Sequence, residues 1–123
     1  MLQAYSENLT TTADSPVAFN SKTVQKGCTV TMAGPSAIEL NKMGVYMVHV
    51  DGVASAETTL QLYKDGVAQP QAQSTGTTLG FETLVQVPRN NSSCCCSSAT
   101  TIQVMNEVAG TLENVNIVVT KVC

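Results

Sequence analysis

The chain has 123 residues, a net charge of −3 at pH 7, 43% apolar residues and 12% charged ones. That is one domain, too apolar to stay disordered. Its six basic residues (Lys22, Lys26, Lys42, Lys64, Arg89, Lys121) are scattered singly along the sequence, so it lacks the run of cations that a phosphate-neutralising nucleic-acid binder needs. No apolar run approaches the roughly 18 residues of a membrane helix, and the start, MLQAYSENLTTTADSP, has neither a basic n-region nor an apolar h-region. The expectation is therefore a protein made in the cytoplasm, where thiols are kept reduced. A surface with so few charges is weakly defended against association, which points to an oligomer or a larger assembly.

Val and Thr each occur 16 times, and both are stiff, β-favouring side chains. No window carries a helical stripe; short apolar runs alternate with Gly, Pro, Asn and Ser clusters, the pattern of an all-β sandwich. In chain order, strands are expected at a short Leu2–Tyr5, then Ser15–Phe19, Cys28–Met32, Ala37–Leu40, Gly44–Val53, Thr58–Lys64, Val67–Gln73, Thr78–Val87, Thr100–Asn106 and Val115–Val122. Between them lie the turn stretches Ala33-Gly34-Pro35, Asn41 to Gly44, and Val108-Ala109-Gly110. Asp65-Gly66, between LQLYK and VAQPQ, is a type I′ hairpin signal, because that turn needs positive φ at both central positions. So many strands in one domain imply two sheets packed face to face.

In GVYMVHVDGV, Val45, Met47 and His49 share one face, and Tyr46, Val48 and Val50 share the other. Apolar residues on both faces require two covers, one from the sandwich core and one from a neighbouring subunit. The last strand, NVNIVVTKV, has the same two-sided character. Tyr46, Val48, Val50, Val118 and Val122 are accordingly the candidate subunit interface.

The block AIELNKMGVYMVHVDGVAS followed by TTLQLYKDGVAQPQAQS resembles the central signature of the tumour-necrosis-factor and complement-head jelly roll, also used in bacterial collagen-like proteins. Gly44-Val45-Tyr46 and Leu60 to Gly66 fill the family's Gly-Val-Tyr strand and its L-x-L-x-x-[ND]-G strand; SPVAFN, TTIQVMN and NVNIVVTKV resemble its first and last core strands. The resemblance spans roughly residues 15–122. It implies an antiparallel two-sheet jelly roll that assembles as a homotrimer and has no catalytic machinery. Residues 15–123 are then the jelly-roll domain, and residues 1–14 an N-terminal docking arm or flexible segment.

The enzyme reading finds no support in the residues. His49 is the chain's one histidine, in mid-strand, where a core or interface role competes with three symmetry-related copies forming a polar or metal-binding layer. Asp51 would orient it only if the strand were irregular there. The nine carboxylates form neither an acid/base pair nor a calcium loop, no phosphate-binding glycine loop is present, and no cofactor is expected.

Cys94, Cys95 and Cys96 stand side by side in RNNSSCCCSSATT, with Cys28 and Cys123 far off in sequence. Consecutive cysteines lack the C-x2-C spacing of a zinc knuckle. Three readings stay open: small apolar filler leading into the next strand; disulfides among Cys28, Cys94, Cys96 and Cys123, within or between subunits; or a thiolate–metal cluster shared across subunits.

A small jelly roll with a polar, uncharged surface is a form that bacteriophage virions use. The expected function is a trimeric capsid decoration or head-fibre protein, located in the virion, docked on the major capsid protein through the N-terminal segment and touching neither nucleic acid nor membrane. The alternative is a receptor- or glycan-binding module of the same fold, at a phage fibre tip or on a spore surface.

Overall fold

The computed structural model describes residues 1–27, 29–87 and 100–122. Its elements are β1 (Leu2–Thr11), β2 (Ser15–Pro16), β3 (Ser21–Gln25), β4 (Val30–Met32), β5 (Ile38–Leu40), β6 (Gly44–Lys64), β7 (Val67–Val87), β8 (Thr100–Asn106) and β9 (Gly110–Lys121). The order of neighbours is β3-β1-β9-β6-β8-β5-β4, with β7 on β6 and β2 on β8, all antiparallel.

Two long strands turn this single hydrogen-bonded sheet into a sandwich. The first half of β6 pairs with β9 and the second half with β8; β7 follows it throughout, from Gly44↔Val87 to Lys64↔Val67. The register breaks between Val53 and Thr58, and at the exposed Ser55-Ala56-Glu57 both strands bend from one layer into the other. Layer one is β3-β1-β9-β6(first half)-β7(second half). Layer two is β7(first half)-β6(second half)-β8-β5-β4, with β2 along β8. The four expected strands at 44–53, 58–64, 67–73 and 78–87 are thus halves of two continuous ones, divided by a change of layer.

The core forms where the period-two apolar phases of the two layers face each other. Leu2, Val48, Val50 and Val119 from layer one, and Leu40, Leu60, Leu62, Ile102 and Val104 from layer two, have no exposed surface. Gly52 marks the closest approach of β6 to β9: a Cβ there would lie 2.7 Å from the Asn114 carbonyl oxygen. Asp65 and Gly66 have φ of 50° and 82°, as the I′ reading requires. Asp65 also ties the hairpin to β8, donating its N–H to the Thr101 carbonyl (2.8 Å) while its Oδ1 accepts the Thr101 N–H (2.9 Å).

Most of residues 1–14 forms a strand of the sheet. β1 lies between β9 and β3, its register running from Leu2↔Val119 to Thr11↔Gly110, with Leu2 and Ala4 fully buried. The alternation LQAYS shows only the strand's start, Leu2–Tyr5; the polar remainder to Thr11 is held by pairing with β9, at the far end of the chain. β3 was not foreseen because SKTVQ exposes nearly every residue and carries no apolar phase. Deeper in, Asn106, 1% exposed, donates its amide N–H to the Thr11 hydroxyl and accepts from the Thr58 hydroxyl, joining β1, β6 and β8 beneath the bend.

Candidate functional site

The outward face of layer one carries the chain's one histidine and an apolar corner. β6 projects Val45, Met47, His49 and Asp51 outward and Tyr46, Val48 and Val50 inward. Register places the outward residues in rows: Leu84, Met47 and Thr120; then Glu82, His49, Val118 and Gln3; then Gly80, Asp51, Asn116 and Tyr5. Beyond the first row the Val122 N–H donates to the Val45 carbonyl (2.8 Å). Val45, Met47, Leu84, Val118 and Val122 are therefore neighbours on one corner, with Leu84 61% and Val122 52% exposed.

Tyr46, Val48 and Val50 are corrected as interface candidates: all three have 0% exposure and pack in the core. With apolar residues on both faces, period two fixes the two sets but not which is inside. The Tyr46 hydroxyl decides it, donating to the Lys42 carbonyl (2.6 Å) and accepting the Lys42 N–H (3.3 Å), so the phenol is buried with its polar end satisfied. Burial pushes its pKa above the ordinary 10.0, the Lys42 backbone bond working the other way. Val118 is half-buried on the outward face and Val122 is exposed. Met47 and Leu84 were missed. The signal for Leu84 was available: Leu79, Phe81, Thr83, Val85 and Val87 share the inward phase, leaving Leu84 the lone large apolar residue out of phase.

His49 bridges two carboxylates. Its Nε2 lies 3.2 Å from Asp51 Oδ2, and its Nδ1 lies 3.6 Å from Glu82 Oε2 on the adjacent strand. The Asp51 contact forms with no register break at 49–51, so strand irregularity is not needed: neighbours on one face suffice for two side chains of this length. Asp51 and Glu82 approach opposite ring nitrogens and so do not converge on one point. Among the described residues no group of three His, Cys, Asp or Glu side chains has metal-holding geometry. His49 thus lies between two carboxylates, one at each ring nitrogen.

Cys28, Cys94, Cys95, Cys96 and Cys123 lie outside the described residues. The described residues nearest them do share a location. Thr29 accepts the Asn41 N–H, Leu40 pairs with Thr100, Gly44 pairs with Val87, and Val122 bonds Val45. All belong to the end of the sandwich that also holds the Asp65-Gly66 turn.

The chain as a whole superposes on known structures. The globular domain of zebrafish complement 1qA superposes with a TM-score of 0.73, at 12% identity, covering 99% of this chain and 96% of that one. Murine APRIL (TM-score 0.67, 9% identity, 98% of each chain) and rabbit GITRL (0.64, 11%, 100% and 95%) match in the same way. The fold is the TNF/C1q-like jelly roll. No protein-family model and no curated protein matches the sequence. The likeness is therefore one of fold, and the site is read from this chain's own residues.

Proposed function

We propose that the chain is a non-enzymatic structural subunit that works as a homotrimer, associating through the outward face of layer one. The observation that carries this is the apolar corner of Val45, Met47, Leu84, Val118 and Val122, set on a TNF/C1q-like jelly roll with few surface charges. Large apolar side chains left on a strand face call for a cover, and covering Leu84 and Val122 releases water at about 25 cal/mol per Å2 of apolar area. The setting we favour is a bacteriophage virion, with the trimer as a capsid decoration or head-fibre protein that meets the major capsid protein through one end of the sandwich, since β1 is held within the sheet. A glycan- or receptor-binding tip is the weaker reading: Phe19 and Tyr46 are buried, Phe81 packs against the core, and Tyr5 and Tyr63 stand on different layers, leaving no aromatic platform among the described residues.

The test is sedimentation velocity on wild type, Leu84→Glu and Met47→Glu. The proposal expects a trimer for wild type and monomers for both variants, each folded by circular dichroism. A variant that keeps the wild-type mass removes this face as the interface.

A further inference from the structure

Lysines that look scattered in the sequence are gathered by the fold. Lys26 follows β3 and its N–H bonds the Met1 carbonyl; Lys42 lies in the loop bonded to Tyr46; Lys64 ends β6, its Nζ donating to the Gln86 carbonyl (2.7 Å); Lys121 pairs with Tyr46. All four sit at the end of the sandwich where β6 begins and ends, and Lys26, Lys42 and Lys121 are exposed. Near them are only two carboxylates among the described residues, Asp65 at the hairpin tip and half-buried Glu39 on β5. Lys22 lies part-way up the edge strand, bonded to Gln25.

The opposite end is acidic. Glu57 is in the bend of β6, and Glu107 follows β8, its N–H bonded to the Thr59 carbonyl. Glu113 lies where Leu112 meets Ala54; Asp14 follows β1 past the Thr11↔Gly110 pair; and Glu7 pairs with Asn114. Glu7, Asp14, Glu57 and Glu113 are exposed, and no lysine among the described residues shares this end. Each end also offers an exposed apolar side chain: Met43 (58%) and Val67 (63%) at the basic end, Val108 (46%) at the acidic one.

We propose that copies of this molecule stack head to tail, the basic end of one on the acidic end of the next. The occupant is a second copy because its own far end supplies the complementary charge, and because the two surfaces differ. A contact between unlike surfaces does not close on itself, so it propagates as a linear array, the geometry of a fibre. Opposed charges set the orientation, since like ends repel, and the apolar residues provide contact once the ends meet. The stacking is independent of trimer formation, which uses the side of the sandwich, and a trimer only multiplies the charge that each end presents.

Stacking between exposed charges weakens as salt shortens the Debye length from about 30 Å at 0.01 M to roughly 8 Å at 0.15 M. The experiment uses light scattering on the full chain in low and high salt. Wild type is expected to show a low-salt mass about two-fold or more above its high-salt mass, as stacks form. Two triple variants carry the test further: Lys26→Glu/Lys42→Glu/Lys121→Glu, acidic at both ends, and Glu7→Lys/Glu57→Lys/Glu113→Lys, basic at both. Each alone is expected to keep its high-salt mass in low salt, and an equimolar mixture is expected to stack. The high-salt mass separately reports the trimer, so failure of that reading is told apart from failure of this one. A wild-type mass unchanged by salt overturns the proposal. So does growth by either triple variant alone. A mixture that does not assemble overturns it as well, and growth of wild type only with an added acidic polymer such as polyglutamate would assign the basic end to a foreign partner instead.

Discussion

The two faces of the first half of β6 both carry apolar residues and behave differently. Inward, Tyr46, Val48 and Val50 have no exposed surface and every polar atom is satisfied; outward, Val45 and Met47 give way within one step to His49 and Asp51. The inward face serves folding, so changes there should register in the unfolding free energy. The outward face has no cover among the described residues, so changes there should register in association and leave the subunit's own stability alone. The contrast teaches that a two-sided apolar strand has two jobs, separable by which measurement moves.

The largest effect is expected at the inward face. Tyr46→Ala should cost about 3–5 kcal/mol of stability in urea denaturation, through lost packing and an unpartnered Lys42 backbone. Tyr46→Phe keeps the ring and should cost only about 1 kcal/mol. Next comes Gly52→Ala, whose Cβ would meet the Asn114 carbonyl at 2.7 Å; overpacking against backbone should cost about 1–3 kcal/mol. On the outward face, Met47→Ser should leave the urea midpoint of the dissociated subunit within about 0.5 kcal/mol of wild type. In the same variant the concentration needed for assembly should rise about ten-fold, equivalent to roughly 1.4 kcal/mol. An equal loss in both measurements would erase the distinction between the faces.

The smallest effect is in alkaline pH. The folded Tyr46 holds its proton above the ordinary pKa of 10.0, so above that pH the folded state binds more protons than the unfolded state and stability falls as pH rises. Below pH 10 this contribution is constant. Comparing wild type with Tyr46→Phe across pH 9–11 should show the steeper decline in wild type, and parallel declines would remove Tyr46 as the cause.

Legibility followed how locally each feature is encoded. β8 was readable to the residue because TTIQVMN alternates strictly, and the Asp65-Gly66 turn because its chemistry is confined to two positions. The likeness of fold was readable because Gly44-Val45-Tyr46 and Leu60 to Gly66 are contiguous. The bend at Ser55–Glu57, where a strand changes layer without ending, has no breaker such as Pro to announce it, so one strand read as two. β1 depends on pairing with β9, at the far end of the chain, and β3 in turn depends on β1, so no short window contains either set of contacts. The apolar corner failed for a third reason: which face of β6 turns inward is set by the hydroxyl of Tyr46 finding the Lys42 backbone, a tertiary event. The gathering of lysines at one end was invisible for the same reason, since proximity there comes from strand register alone.

Native mass in high salt tests the central claim most directly. Light scattering at micromolar concentration should give three times the chain mass of 12.9 kDa, with the trimer surviving where charge-driven contacts are screened. A value equal to the single chain would contradict the account, because Val45, Met47, Leu84, Val118 and Val122 would then face water with no partner.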